Sequence, residues 1–332
     1  MNPNGTRRIL SRAAIALLLA AGVLSAGWIG DSPAGASFDF FGEFEPVASR
    51  ALGGAGAASS DGVSGWFRNP ATFPGAGLDL SAQFANDPFG GQSGSLLAAK
   101  RADSLSFRFV LGASKLYAVE ELDERAERTG TLHEPGSVVM ATGLSWRFRK
   151  FVFGYGVGLA TDRISKHERT AIGWWMDAGA LWNATRRFSA SLALTRLGRR
   201  ERAYAEGGDA KGWLPAELTL GTETKLDRKG RFFLLGDLTW PAFGESSAQI
   251  GLKWNAVQDL AQFRAGTKID FAQAKWVWDR MGGSDRVWRP QTEELFAAGA
   301  MLSPGDWGVD YAIGVLRDGA GLRHALALRL AL

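Results

Sequence analysis

Three histidines are the first residues to consider for chemistry, because imidazole is the side chain most often used as a general base. His133 and His167 fall in predicted loops, and His324 lies on the apolar face of the last predicted strand. None has a serine or a carboxylate at a spacing that predicts a nucleophile with its base. The motifs of serine hydrolases, zinc proteases and phosphate-binding loops are absent, and so is cysteine. We therefore expect no catalytic activity, no bound metal and no cofactor.

Charged residues form a second group, and they recur at alternate positions of segments that are otherwise apolar. In the last predicted strands, large residues such as Trp307 and Tyr311 alternate with Gly308 and Asp310. Since successive side chains of a strand point to opposite faces, each segment has one large apolar face and one small or charged face. Ten charged residues of the second kind are our candidates for the lining of a shared interior: Arg108, Glu217, Glu223, Asp237, Lys253, Arg264, Lys268, Asp310, Arg323 and Arg329.

The segments that position these charges number fourteen. They are residues 78–84, 94–99, 105–116, 137–148, 151–160, 172–182, 188–195, 215–225, 231–239, 248–254, 260–269, 296–302, 307–316 and 322–332. Several have about nine to eleven residues, enough for a tilted strand to cross a bilayer. Even-numbered connections are short, and most odd-numbered ones are longer and more polar. A soluble β-sandwich also alternates, but these features favour an all-β, antiparallel outer-membrane barrel with both termini on the short-turn side.

Five tryptophans near strand ends fit the aromatic girdle of such a barrel, since indole rings favour the boundary between membrane and water. They are Trp146, Trp182, Trp240, Trp254 and Trp307.

Three roles are open for the lining charges. They would tune ion selectivity in an open pore, hold a plug in a filled lumen, or only pair with one another and with water.

The first 36 residues are predicted to be a cleaved export signal. Arg7, Arg8 and Arg12 precede an apolar stretch of about a dozen residues, and small residues follow it, with cleavage after Ala26 or Ala36. A membrane-anchoring helix is the alternative, although the stretch is short for a span of about 20 residues. The formal net charge of +4 falls to +2 because the signal removes three arginines and one aspartate. No basic cluster predicts nucleic-acid binding.

Residues 37–77 have no strand position of their own between the signal (1–36) and the barrel (78–332). Glycines on the inner faces of several predicted strands, such as Gly154, Gly251 and Gly266, leave room for another backbone to approach closely. We therefore predict that this N-terminal stretch enters the lumen as a hatch or plug.

The motif "SRALGGAGAASSDGVSGWFRNPATF" resembles the N-terminal signature of FadL-like barrels, in particular the PorV/PorQ family. The resemblance implies a fourteen-stranded barrel in which this segment forms an internal hatch. It assigns the hatch role to Arg50, Gly53, Gly54, Asn69, Pro70 and Ala71. The chain departs from the common pattern of outer-membrane barrels at its last residue, which is Leu332 rather than an aromatic.

Three functions follow from this architecture, all in the bacterial outer membrane and in contact with its lipid. The first, implied by the PorV/PorQ resemblance, is a shuttle or adaptor for exported proteins that contacts secretion-system components through its long loops. Trp276, Trp278 and Trp288 in the loop 271–295 would recognise the partner, or would only pack that loop over the barrel. The alternative is a FadL-like transporter of hydrophobic small molecules, such as long-chain fatty acids. The third is a structural barrel.

Overall fold

The structure is a computed structural model. It describes residues 39–59, 62–75, 77–86, 88, 90–116, 119–122, 128–163, 170–202, 212–242, 246–258, 260–271, 294–316 and 321–332. The predicted signal 1–36 and the predicted loop contacts Trp276, Trp278 and Trp288 lie outside these residues.

Fourteen antiparallel strands form a closed barrel, which confirms the predicted fold class. They are β1 (Gly77–Asn86), β2 (Gln92–Ala102), β3 (Leu105–Lys115), β6 (Gly136–Phe148), β7 (Phe151–Arg163), β8 (Ala171–Trp182), β9 (Phe188–Arg202), β11 (Glu217–Lys225), β12 (Phe232–Pro241), β13 (Ser247–Val257), β14 (Ala261–Asp270), β15 (Glu294–Leu302), β16 (Trp307–Leu316) and β17 (Leu322–Ala331). Each strand pairs with its neighbour in chain order, and β1 closes the ring against β17. Closure leaves no open sheet edge in lipid.

Three short strands lie outside the wall. The strands β4 (Val119–Leu122) and β5 (Arg128–His133) form a separate hairpin in the connection that the sequence predicted only as a long loop. The strand β10 (Gly212–Trp213) pairs with the extended end of β9. β9 is also longer than predicted, because its polar end, residues 196–202, continues the pairing with β8 beyond the apolar residues that define the period.

Alternation along each strand sorts side chains to the two faces of the wall. In β3, Ser106, Arg108 and Val110 are buried, whereas Phe107 and Phe109 between them are exposed. Large apolar residues therefore cover the outside, where lipid replaces water as the favourable surroundings. Among the described residues, no helix is long and apolar enough to cross a membrane.

Four of the five predicted girdle tryptophans are on this outer surface, with 41–54% of each exposed: Trp146, Trp182, Trp254 and Trp307. The prediction was wrong for Trp240, of which only 3% is exposed. Trp240 pairs with Leu218 near the long-loop end of β12. The connection before β11 continues the pairing there, since the Ala242 N–H donates to the Ala216 carbonyl. Trp240 is therefore buried at a closely packed loop end, which the two-residue alternation of the sequence did not predict.

Residues 39–59 and 62–75, hereafter the N-terminal segment, pack against the inner face of the wall. The segment contains α1 (Val47–Arg50) and two 3-10 helices, Asp39–Phe44 and Gly62–Phe67. Its apolar residues contact several sides of the ring. Leu52 belongs to one cluster with Leu235 of β12, and Phe73 belongs to another with Val152 of β7 and Leu181 of β8. An irregular segment therefore lies against the inner face of the ring, with buried contacts on several strands.

Candidate functional site

A cavity of about 310 Å³ lies in the half of the lumen nearer the long loops. One side of it is apolar and is formed by Phe41 and Trp66 of the N-terminal segment together with wall residues Val110, Val139 and Trp175. The rings of Phe41 and Trp175 meet edge to face, with centroids 5.0 Å apart. The volume is at the lower end of the range of about 300–1,000 Å³ that is usual for small-molecule sites.

The other side of the cavity carries charged groups, and several of them are paired. Arg68 donates from Nε to Glu45 Oε1 over 3.1 Å, and Arg196 forms an ion pair with Glu217. Arg323 pairs with Glu43 at 3.2 Å. Because these charges are compensated within the protein, the cavity presents an aromatic surface beside a nearly neutral polar one.

An irregularity in the wall places Asp177 and Arg196 beside the cavity. The register between β8 and β9 shifts between Met176 and Ala178, and Arg196 has a φ of 60°. The Arg196 N–H donates to Asp177 Oδ1 over 2.7 Å, and Trp175 Nε1 donates to Asp177 Oδ2 over 3.1 Å. One carboxylate therefore stabilises a β-bulge and also orients the indole ring that lines the cavity.

Wall glycines form the seat of the N-terminal segment. The backbone of Leu52 and Gly53 lies directly against Gly266, and the backbone of Pro70 and Ala71 lies against Gly154. Gly53 has a φ of 63°, a conformation that favours glycine. A side chain at either wall position would occupy the space that the segment takes.

Two polar side chains fix the same segment by hydrogen bonds. Asp237 Oδ2 accepts from the N–H groups of Gly56 and Ala57 over 2.8 and 2.9 Å. Asn69 Nδ2 donates to the Ala57 carbonyl over 2.9 Å, and Asn69 Oδ1 accepts from the Ala71 N–H over 2.8 Å. These bonds satisfy backbone groups that have no partner in a helix or sheet ladder.

The structure brings four of the ten predicted lining charges against the N-terminal segment. Besides Asp237, Arg108 donates to Thr72 Oγ1 over 2.8 Å, Lys253 lies 3.5 Å from Ser59 Oγ, and Arg323 pairs with Glu43. The others pair with residues of the wall. These pairs are Glu217 with Arg196, Glu223 with Lys253, Arg264 with Asp310, Lys268 with Asp270 and Arg329 with Asp79.

Of the residues that resemblance assigns to a hatch, Gly53, Asn69, Pro70 and Ala71 make the wall contacts and turn bonds just described. Arg50 is buried and donates to the Gly42 carbonyl over 3.0 Å. Gly54 has a φ of 85° and lies against the Arg68 guanidinium. These roles concern the packing of the segment.

Sequence reasoning missed the residues that shape the cavity: Phe41, Glu45, Arg68, Trp175, Asp177 and Arg196. Asp177 had a usable signal, because it is the single charge in the predicted strand "IGWWMDAGALW". Glu45 and Arg68 had none, since an irregular segment has no period from which a face can be assigned. Within the described residues, no group of three His, Asp or Glu side chains could hold a metal ion.

The electrostatics of Glu45 are set by its neighbours in the N-terminal segment. Burial acts to raise its pKa, but the Arg68 and Arg50 guanidinium charges and hydrogen bonds from Ser49 and Arg68 outweigh it and lower the pKa from 4.5 to about 2. The Ser49 hydroxyl donates to Glu45 Oε1 over 2.7 Å. Glu45 is therefore a carboxylate at any pH that the barrel would normally meet.

The lowered pKa predicts how attachment of the segment depends on pH. A carboxyl group with a depressed folded-state pKa stabilises the native state above its unfolded pKa and loses this effect as the pH falls through the folded value. We expect protection of the segment from protease to be constant above pH 4.5 and to decline toward pH 2. Cleavage of the segment by an acid-stable protease, followed across this pH range, measures the protection. Glu45→Gln should remove that part of the decline, and an identical profile for the variant would contradict the assignment.

Comparison with known proteins gives fold neighbours and no sequence relatives. No protein-family model matches the chain, and no curated protein matches it. The structure of the Pseudomonas putida toluene transporter TodX aligns with a TM-score of 0.57 at 14% identity, over 85% of this chain and 95% of that one. A Pseudomonas aeruginosa FadL homologue aligns with a TM-score of 0.54 at 13% identity, over 92% of this chain and all of that one.

The chain has the fold of these outer-membrane barrels. A TodX variant described as a monoaromatic hydrocarbon channel gives a similar result, with a TM-score of 0.59 at 14% identity over 88% of this chain and 98% of that one. At these identities the likeness concerns the fold alone. The PorV/PorQ resemblance of the sequence receives no support from the comparisons.

Proposed function

We propose that this protein is an outer-membrane transporter of hydrophobic small molecules, the second of the three functions considered from the sequence. The cavity carries the proposal, since it joins an aromatic wall to a polar side whose charges are paired. A ligand that enters there gains apolar contact with Phe41, Trp66 and Trp175. It meets few uncompensated charges, which disfavours ions and favours uncharged or weakly polar molecules.

The descriptions of the fold neighbours agree with this proposal. TodX is described as a toluene transporter and a monoaromatic hydrocarbon channel. An export role as a shuttle for secreted proteins has no comparable observation behind it. The tryptophans from which it was argued lie outside the described residues.

The N-terminal segment would act as the hatch of this transporter. Its residues 69–71 lie on the short-turn side of the cavity, where they pack against Gly154 and Gly179, so a molecule crossing along the barrel axis would have to pass them. We place the protein in the outer membrane after removal of its export signal, with the short turns in the periplasm.

A gap in the pairing between β14 and β15 lies beside the cavity. The pairing of β14 with β15 ends at Gly266 and Ala297, although β14 continues to Asp270. Phe296 is exposed on the outer surface and also lines the cavity. Thr267 Oγ1 donates to the Leu295 carbonyl over 2.6 Å in the stretch where the ladder is missing. We infer that this seam is the route between the cavity and the lipid-facing surface.

Filling the cavity tests the proposal. Val139→Trp places an indole in the cavity, whereas Val138→Trp places it on the outer surface, where 47% of Val138 is exposed. Toluene and naphthalene binding can be followed by quenching of tryptophan fluorescence, and uptake can be followed in liposomes. We expect Val139→Trp to weaken binding by about tenfold or more, since overpacking costs about 1–3 kcal/mol. Equal binding by both variants, or uptake of glucose as fast as of toluene, would refute the function.

A further inference from the structure

Eleven basic side chains lie in or beside four of the short connections, and ten of them form what is hereafter the basic rim; the eleventh, Lys225, packs over the Phe233 ring. The basic rim consists of Lys100, Arg101, Arg147, Arg149, Lys150, Arg186, Arg187, Arg228, Lys229 and Arg231. The connections are β2–β3, β6–β7, β8–β9 and β11–β12, which follow one another around the barrel. Asp103 and Asp227 are the acidic residues of the same four turns. Positive charge is therefore concentrated on one contiguous part of the short-turn end.

The rest of that end has no such charge. Among the described residues, the β13–β14 turn consists of Gln258 and Leu260, and the β15–β16 turn of residues 303–306 ends in Asp306. Leu78 and Leu332 close the ring between them by two backbone hydrogen bonds. The basic rim is thus a local feature of one side and not a general property of the turns.

Few of the rim charges are compensated within the protein. In the described chain, the rim contains a single ion pair, Arg231 with Asp227 at 3.4 Å. Arg101 and Arg147 face inward and lie over the Phe73 ring, 4.9 and 4.2 Å from its centroid. The remaining seven side chains are exposed to the surroundings. Like charges concentrated in neighbouring turns repel one another, and a bound anion would relieve the repulsion.

An aromatic patch lies on the outer surface directly beside the basic rim. It consists of Trp146, Phe148, Phe151, Phe153 and Trp182, and 43–47% of each is exposed. Phe151 stacks on Trp182 with ring centroids 6.3 Å apart. The patch is at the turn ends of β6, β7 and β8, whose turns carry Arg149, Lys150, Arg186 and Arg187. Aromatic rings of this kind mark the boundary between acyl chains and headgroups, so the rim lies at headgroup depth.

We propose that the basic rim binds the phosphates of anionic phospholipids in the periplasmic leaflet. The guanidinium and ammonium groups contact the phosphates, while the aromatic patch packs beside the upper acyl chains. The aromatic patch favours lipid over an acidic protein, because a soluble partner would reach the turn tips and not the membrane-facing rings. This binding does not depend on what the cavity transports.

The experiment measures lipid binding by the intact barrel in detergent. Native mass spectrometry would compare phosphatidylglycerol with phosphatidylethanolamine for the wild type and for Arg186→Gln/Arg187→Gln. Lys115→Gln/Arg163→Gln removes two exposed basic residues at the opposite end of the barrel and serves as the matched control. Each basic residue near an anionic surface adds to the free energy of binding. We therefore expect the affinity of the rim variant for phosphatidylglycerol to be about tenfold lower than that of the wild type. The control should retain its affinity.

Two results would overturn the proposal. The first is equal affinity of the wild type for both lipids, or unchanged phosphatidylglycerol affinity in the rim variant. The second is a wild type that binds a soluble poly-glutamate peptide but does not prefer phosphatidylglycerol, together with a rim variant that no longer binds the peptide. The rim would then be a protein-docking surface. Toluene binding and the shift in gel mobility on heating should be unchanged in the rim variant, so that failure here is distinct from failure of the transport function or of folding.

Discussion

Gly266→Ala is expected to displace the N-terminal segment from the wall and to open the lumen to ions, with the barrel still folded. A Cβ at this position would lie 2.6 Å from Gly53 N and closer still to the Leu52 carbonyl group. Both neighbours are backbone, so no flexible side chain can move aside. The segment yields before the wall does, because β14 is fixed by its ladder with β13 over this stretch.

The size of the effect follows from the energy of overpacking. A misfit of about 1–3 kcal/mol raises the population of the displaced state by about 5- to 150-fold. Single-channel conductance and protease cleavage of the segment should both rise accordingly. Gly154→Ala should act in the same way through Pro70 and Ala71, whose backbone the new Cβ would meet.

Gly236→Ala is the matched control, since the atom nearest to its new Cβ is Thr222 Oγ1 at 3.5 Å. Gly236 is also a strand glycine in the wall, so the control carries the same backbone change without the overlap. Closed channels in Gly266→Ala, or equal conductance in Gly266→Ala and Gly236→Ala, would show that the segment does not block the lumen.

The strands of the wall could be predicted because lipid imposes the same rule on every strand. Outward positions are mostly apolar, so Phe107 and Phe109 alternate with buried Ser106 and Arg108. Loop-end residues escape this rule, which is why the hairpin β4–β5 and the extension of β9 were missed. The burial of Trp240 has the same origin.

The cavity could not be predicted because its residues have no common period. Phe41, Glu45 and Arg68 belong to an irregular segment, and they meet Trp175 and Asp177 only after the barrel has closed. The bulge at Arg196 also shifts the register of β9, so extrapolation of alternation past Leu194 assigns the wrong face. The wall glycines indicated that something packs inside, but not which atoms.

The N-terminal motif illustrates the difference between a structural and a functional signal. Asn69 and Gly53 make turn bonds and close backbone contacts that any segment seated in this lumen would need. Such residues are explained by packing, and they carry no information about cargo. This is why the motif indicated the barrel fold correctly while its family resemblance placed protein export ahead of small-molecule transport.

Asp310→Ala is expected to destabilise the wall itself by about 3–5 kcal/mol, the cost of leaving a buried charge without its partner. Arg264 Nη1 donates to both Asp310 oxygens over 2.7 and 2.6 Å, and the two side chains are 1% and 2% exposed. The pair joins β14 to β16 across β15. Its loss leaves a buried guanidinium without its counter-charge.

Urea unfolding of the barrel in detergent measures this loss, and two further variants isolate its cause. Asp306→Asn removes a carboxylate from an exposed turn and should change stability by no more than about 0.5 kcal/mol. Arg264→Met/Asp310→Leu replaces the pair with apolar side chains and should recover most of the stability, because a buried ion pair often gains little over well-packed apolar residues.

If Asp310→Ala were as stable as Asp306→Asn, the pair would contribute nothing. If the double variant were as unstable as Asp310→Ala, volume and not charge would be the cause. Because Gly266→Ala is expected to change conductance and Asp310→Ala to change unfolding, the two variants together distinguish the packing of the N-terminal segment from the stability of the wall.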